Sequence, residues 1–128
     1  MILLDTNVLS ELTRQMPGPA VERWLAAQLV ADLFVSAVTE AELRYGVAML
    51  PPGKRRSLLA AATEAMLAND LRDRISPFDS PAAVAYADIV VHRRRAGRPI
   101  SQSDAQIAAI ARCRDCHPQY AGLRGMRR

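Results

Sequence analysis

"MILLDTNVLSEL", residues 1–12, decides the fold. Ile2, Leu3 and Leu4 form a wholly apolar run that ends in the carboxylate of Asp5. That is the pattern of a short strand buried on both faces of a parallel sheet. Helical spacing starts at once: in "TNVLSELTR" the side chains of Val8, Leu9 and Leu12 fall on one face.

The same alternation continues outward. "MPGP" breaks the first helix, and "AVERWLAAQLV" (20–30) carries the apolar stripe Val21, Trp24 and Leu25 of a second. "LFVSA" (33–37) reads as the next strand, and "TEAELRYGVAML" (39–50) as a helix stopped by Pro51, Pro52 and Gly53. Residues 54–74 read as one long Ala/Leu-rich helix, and "ISPF" (75–78) as a third short strand. "SPAAVAYADIVVHRRRA" is a helix with Pro81 at its first position and Gly97 at its end. "SQSDAQIAAIAR" is the last. Strands alternating with helices imply an α/β domain whose parallel sheet is covered on both faces.

The chain has 128 residues, 50% of them hydrophobic and 23% charged, which suits one domain with a real core. No run approaches the ~18 consecutive apolar residues of a membrane span. The N-terminal stretch lacks a basic region and carries an acid at position 5, so the expected compartment is the cytoplasm. The net charge of +4, with a pI near 9.7, admits a polyanionic partner without naming one.

Three acids occupy equivalent places. Asp5 ends the first strand, Glu42 is expected in the first turn of the helix after the second, and Asp104 in the first turn of the last helix. The carboxyl ends of parallel strands line one edge of a sheet, where ligand crevices form. Each acid also has an architectural reading. Asp5 can cap the helix it precedes, and Thr39-x-x-Glu42 and Ser101-x-x-Asp104 both have capping-box spacing. Three carboxylates in one crevice repel each other unless a cation neutralises them. Hard ions such as Mg²⁺ are bound by a few carboxylates, waters and substrate phosphates. In a basic protein such a site suggests phosphodiester hydrolysis.

"MILLDTNVLSEL", "LFVSAVTEAELRYGVAMLP" and "GRPISQSDAQIAAIA" together resemble the PIN-domain ribonucleases, in particular the VapC/FitB-like toxins of type II toxin–antitoxin pairs. The resemblance spans residues 1–112 and leaves 113–128 as a divergent tail. It implies an α/β/α sandwich around a parallel sheet, a homodimer, and Mg²⁺- or Mn²⁺-dependent cleavage of RNA. It also implies a VapB-type antitoxin that blocks the site, with DNA reached only indirectly through that antitoxin. By motif, Asp5, Glu42 and Asp104 are the catalytic, metal-binding acids. Thr6 and Asn7 buttress Asp5, while Ser101 and Ser103 orient the helix bearing Asp104.

The tail departs from the family. A fourth acid is expected in a T-R-N-x-x-D-F string, but position 122 is Gly122 and Asp115 comes too early. Codons permitted by Cys113–Arg127, read one base later, spell A-A-T-A-T-R-N-M-R-D-F-E-G-C, which restores that string with its acid at 122. The expectation is a tail out of frame, a last strand missing or altered, and weakened metal binding. The alternative function is then a catalytically impaired module that only dimerises and binds antitoxin.

The remaining features rank lower. Cys113-x-x-Cys116-His117 fits a haem or, with His92, a zinc site, but lacks an exported context and a second close ligand pair, and reads as an accident of frame. Arg93, Arg94, Arg95 and Arg98 either touch RNA phosphates or simply complement a helix C-terminus. Lys54, Arg55 and Arg56 read as solvating a helix start, and Trp24 as core or partner-facing surface.

Overall fold

In the computed structural model, which describes residues 2–13, 18–27 and 33–116, the central element is β2 (Leu33–Ser36), with all four residues buried. It is flanked by β1 (Ile2–Leu3) and β3 (Ile75–Ser76) in a parallel sheet of order β1-β2-β3. The register pairs Ile2 with Leu33, Leu3 with Phe34, Val35 with Ile75 and Ser36 with Ser76. Leu4 N–H donates to the Phe34 carbonyl at 2.8 Å and Val35 N–H to that of Arg74 at 2.9 Å, extending both ladders past the short strands.

Among the described residues, six α-helices pack around the sheet: α1 (Thr6–Leu12), α2 (Pro19–Ala26), α3 (Ala37–Ala48), α4 (Lys54–Ala65), α5 (Ser80–Arg95) and α6 (Gln102–Cys116). Strand residues alternate between faces. Leu33 and Val35 join Leu4, Leu9, Leu43, Met66, Leu67 and Leu71 in one core. Each full burial of such a side chain contributes about 1.5–3 kcal/mol. Phe34 and Ser36 take the other face, where α6 packs on β2 and α5 packs on α6. The expected parallel sheet covered on both sides is therefore present.

Several local expectations change. Helix α3 begins two residues earlier than Thr39, because the fully buried Ser36 caps it by accepting from Thr39 N–H at 2.9 Å. The long helix expected over 54–74 is α-helical only to Ala65. A π-helical turn follows over Met66–Asp70, closed by Leu71 N–H to the Met66 carbonyl at 2.9 Å. The wider turn lets Met66, Leu67 and Leu71 all reach the core. β3 stops at Ser76 rather than residue 78, and Pro81 is the second residue of α5, after the N-cap Asp79. Gly97 does end α5: its φ of 72° permits the paired bonds from Gly97 N–H to Arg94 and from Arg98 N–H to Arg93.

The divergent tail is expected to begin at residue 113, and the last helix crosses that position. Helix α6 runs on through Cys116. Arg114, only 5% exposed, lies with its guanidinium 3.1 Å from the centre of the Phe34 ring and donates to Ser76 Oγ. Arg114 thus packs against the sheet. Gly122, His117 and the rest of the tail lie outside the described residues, as does the expectation of a missing or altered last strand.

Candidate active site

The first corner is built by Asp5. Its backbone is extended, and its Oδ1 accepts from Val8 N–H at 2.9 Å, capping α1. Among the described residues only one carboxylate oxygen is used, and the residue is exposed. The architectural reading of Asp5 is therefore correct, and it leaves Oδ2 available for a second task.

At the second corner the architectural reading fails. Since Ser36 caps α3, Glu42 is its sixth residue and lies beyond the first turn. Its carboxylate is released from any capping duty. Instead Glu42 Oε2 accepts from the Thr6 hydroxyl at 2.8 Å, across 36 residues of sequence. Both residues are half-buried. Thr6 directly follows Asp5, so this one bond brings the end of β1 and the inner side of α3 together. Glu40, the other acid of "TEAEL", is engaged elsewhere. Arg44 Nε donates to it at 3.0 Å, and Arg44 also pairs with Glu64. Those two partners, Glu64 foremost, hold the Arg44 guanidinium above its ordinary pKa.

Thr6, Asn7 and Glu42 line one end of an open groove of about 1310 Å³ between α1, α3 and α4. Its floor is aliphatic: Leu43, Val47 and Leu50 on one side, Leu58, Leu59 and Ala62 on the other. Lys54 and Arg55, from the first turn of α4, also line it.

The third corner has only half of a capping box. Asp104 N–H donates to Ser101 Oγ at 3.2 Å, so Ser101 caps α6. The exposed Asp104 carboxylate makes no bond back to Ser101 among the described residues, and Ser103 beside it is half-buried. Helix α6 packs on α3 and β2, but Asp104 does not line the groove. No group of 3 or more His, Cys, Asp or Glu side chains stands within metal-holding reach among the described residues. The structure thus joins the Asp5 and Glu42 corners through Thr6 and leaves Asp104 apart.

A divalent cation is fitted by the donor chemistry of this corner. Asp5 Oδ2 and Glu42 Oε1 are hard oxygen donors left over by the two hydrogen bonds, the donor type that Mg²⁺ and Mn²⁺ take. The arginines of α5 are placed differently. Arg93, Arg94 and Arg95 form its last turn and Arg98 follows it; none lines the groove. Cys113 is half-buried, and with His92 it contributes to no metal-holding group among the described residues. Thr6's bond to Glu42 is what sequence reasoning missed; Lys54 and Arg55 are exposed in the first turn of α4, as expected of cations that solvate a helix start.

A parallel α/β sandwich with carboxylates at its strand-to-helix corners defines a class of fold whose ligands meet the sheet's carboxyl edge. The sequence model of the PIN domain matches residues 2–117. The chain belongs to the PIN-domain family. It is 43% identical over 111 residues to "VapC ribonuclease Y4jK" of Sinorhizobium fredii, covering 87% of this chain and 79% of that protein. It is 43% identical over 112 residues to "Toxin FitB" of Neisseria gonorrhoeae, covering 88% and 81%. Among solved structures, one of FitAB bound to an IR36 DNA fragment superposes with a TM-score of 0.79 at 42% identity, covering 88% of this chain and 78% of that one.

Proposed function

We propose that this chain is the toxin of a type II toxin–antitoxin pair and acts as a divalent-metal-dependent endoribonuclease. The observation that carries the reading is the Thr6–Glu42 hydrogen bond, which ties the residue after Asp5 to a carboxylate that lines one open groove. The 43% identity to a protein named a VapC ribonuclease supplies the substrate class.

Asp5, Glu42 and Asp104 would hold Mg²⁺ or Mn²⁺. When bound, the ion supplies an activated water and charge neutralisation at the phosphate. The Thr6 hydroxyl donates a hydrogen bond to Glu42 Oε2, which restrains that carboxylate. Val8 N–H restrains Asp5 in the same way through Oδ1. Ser101 anchors the first turn of α6, so Asp104 moves with the helix rather than as a loose side chain. Asn7 adds an amide at the groove wall, suited to a phosphate oxygen or a water.

The likeness to FitAB in solved complexes supports a cognate antitoxin as partner, a homodimer as the assembled toxin, and DNA contact through the antitoxin. No helix among the described residues is long and apolar enough to cross a membrane.

The test is degradation of single-stranded RNA by the purified chain with Mg²⁺ or Mn²⁺, beside Asp5→Asn. Cleavage by the wild type that stops with EDTA and in Asp5→Asn is the expected result. Equal cleavage by both would refute the assignment.

A further inference from the structure

We propose that Ser36 is a positioning residue for the site: by capping α3 it takes the Thr39 amide that Glu42 would otherwise hold, and so frees the Glu42 carboxylate for Thr6. The proposal rests on the ribonuclease reading for the metal that Glu42 then serves. Everything else in it comes from the hydrogen bonds at the start of α3.

Two helix starts compete in "SAVTEAEL" (36–43). Ser36 and Thr39 both carry a capping hydroxyl, and Glu42 stands three residues after Thr39, where a capping box needs an acid. In a helix that began after Thr39, Thr39 Oγ1 would accept from Glu42 N–H, and the Glu42 carboxylate would turn back to Thr39 N–H. That carboxylate would be held inside its own first turn. The structure has the other start. Ser36 Oγ accepts from Thr39 N–H at 2.9 Å and donates to Thr39 Oγ1 at 3.0 Å, so both groups of Thr39 that a capping box uses are engaged. The Ser36 backbone is extended, with φ −79° and ψ 150°, as a cap requires. Ser36 and Thr39 are both 0% exposed, so water cannot replace either bond. A buried Thr39 amide without Ser36 would need another acceptor, and the one the local sequence offers is Glu42.

The sheet decides between the two starts. Ser36 is the last residue of β2, paired in register with Ser76 of β3, so its place is set by the strands rather than by the helix. With α3 beginning at Ala37, Glu42 is its sixth residue and Glu42 Oε2 accepts from Thr6 at 2.8 Å. Glu40, the nearer acid, does not compete for the Thr39 amide, because Arg44 Nε donates to it at 3.0 Å. Ser36 itself does not line the groove. It acts through Thr39 on Glu42.

The experiment combines amide hydrogen exchange by NMR, without metal, with calorimetric titration of Mn²⁺. It compares wild type, Ser36→Ala, Ser36→Gly, Ser36→Thr, Thr39→Val and Ser36→Ala/Thr39→Val. In a helix capped by Ser36, Glu40 N–H bonds the Ser36 carbonyl and Ala41 N–H that of Ala37, and a start after Thr39 removes both bonds. Ser36→Ala should speed exchange at Glu40 and Ala41 by about tenfold while Glu42 and Leu43 stay protected. It should also weaken Mn²⁺ binding by about tenfold. Ser36→Gly repeats the deletion, whereas Ser36→Thr keeps the hydroxyl and should match the wild type, as should Thr39→Val, which keeps the Ser36 cap. The double variant removes the competing cap as well, so its Mn²⁺ affinity and its Glu40 and Ala41 protection should return toward wild type. A cap that acted on stability alone would give no such recovery. Unchanged exchange at Glu40 and Ala41 in Ser36→Ala would overturn the proposal, and so would a double variant that binds Mn²⁺ no better than Ser36→Ala. The predicted exchange pattern and its reversal, in a wild type that binds no Mn²⁺, would uphold the positioning of Glu42 and refute the metal-dependent ribonuclease reading.

Discussion

Replacing Thr6 by valine removes one hydroxyl and keeps the side chain's shape. In the structure that hydroxyl donates to Glu42 Oε2 at 2.8 Å, and both residues are half-buried. A hydrogen bond to a charged group contributes about 1.5–3 kcal/mol when water is excluded. Here solvent reaches the carboxylate and replaces part of the lost partner, so Thr6→Val should destabilise the fold by only about 1 kcal/mol. The effect on the site is larger. Residues that orient a metal-binding group typically change metal affinity or activity by about 10–100-fold when removed. That range corresponds to about 1.4–2.7 kcal/mol, more than the loss in stability. The assay is RNA cleavage as a function of Mg²⁺ concentration, beside urea unfolding without metal. Thr6→Val should move the Mg²⁺ midpoint upward by that factor, and Thr6→Ser, which keeps the hydroxyl, should restore it. A Thr6→Val protein that loses stability yet cleaves with the wild-type Mg²⁺ dependence would refute the positioning role.

Other perturbations test the frame that holds the site. Ser36→Ala removes the buried cap of α3 and should cost about 1–2 kcal/mol in urea unfolding, with Thr39 losing both its amide acceptor and its hydroxyl partner. Arg114→Ala leaves a gap over Phe34 and removes the donor to Ser76, so a loss of about 2–4 kcal/mol is expected. A neutral result there would show that Arg114 does not contribute to the packing against Phe34. Thr63→Val should stabilise by about 1 kcal/mol, because Thr63 Oγ1 is buried without a hydrogen-bond partner among the described residues.

Much of this architecture could be read from the chain because burial writes directly into composition. "ILL" and "LFV" are apolar without alternation, which only a strand covered on both faces requires, and both are strands of the parallel sheet. The start of α3 was harder. Ser36 and Thr39 are both good caps three residues apart, and Ala37 and Val38 fit either side of a helix boundary. Burial of Ser36 against the sheet decided for the earlier start, and that choice moved Glu42 out of the capping box. The Thr6–Glu42 bond spans 36 residues and leaves no local pattern. Arg114 was hidden for a different reason. A pattern that counts apolar residues places a cation outside the core, whereas this guanidinium is buried on a ring and a hydroxyl. The π-turn at Met66–Asp70 likewise shows itself only where Met66, Leu67 and Leu71 must face the same core.

The central proposal is that Asp5, Glu42 and Asp104 are the acids that hold one divalent ion. Calorimetric titration with Mn²⁺ of the wild type, Asp5→Asn, Glu42→Gln and Asp104→Asn tests it without reliance on any RNA. The account predicts binding by the wild type and at least about tenfold weaker binding in each variant, with Asp5→Asn retaining its cap and hence its stability. Wild-type Mn²⁺ affinity in Asp104→Asn would contradict the three-acid site, and unchanged affinity in all three variants would remove it altogether.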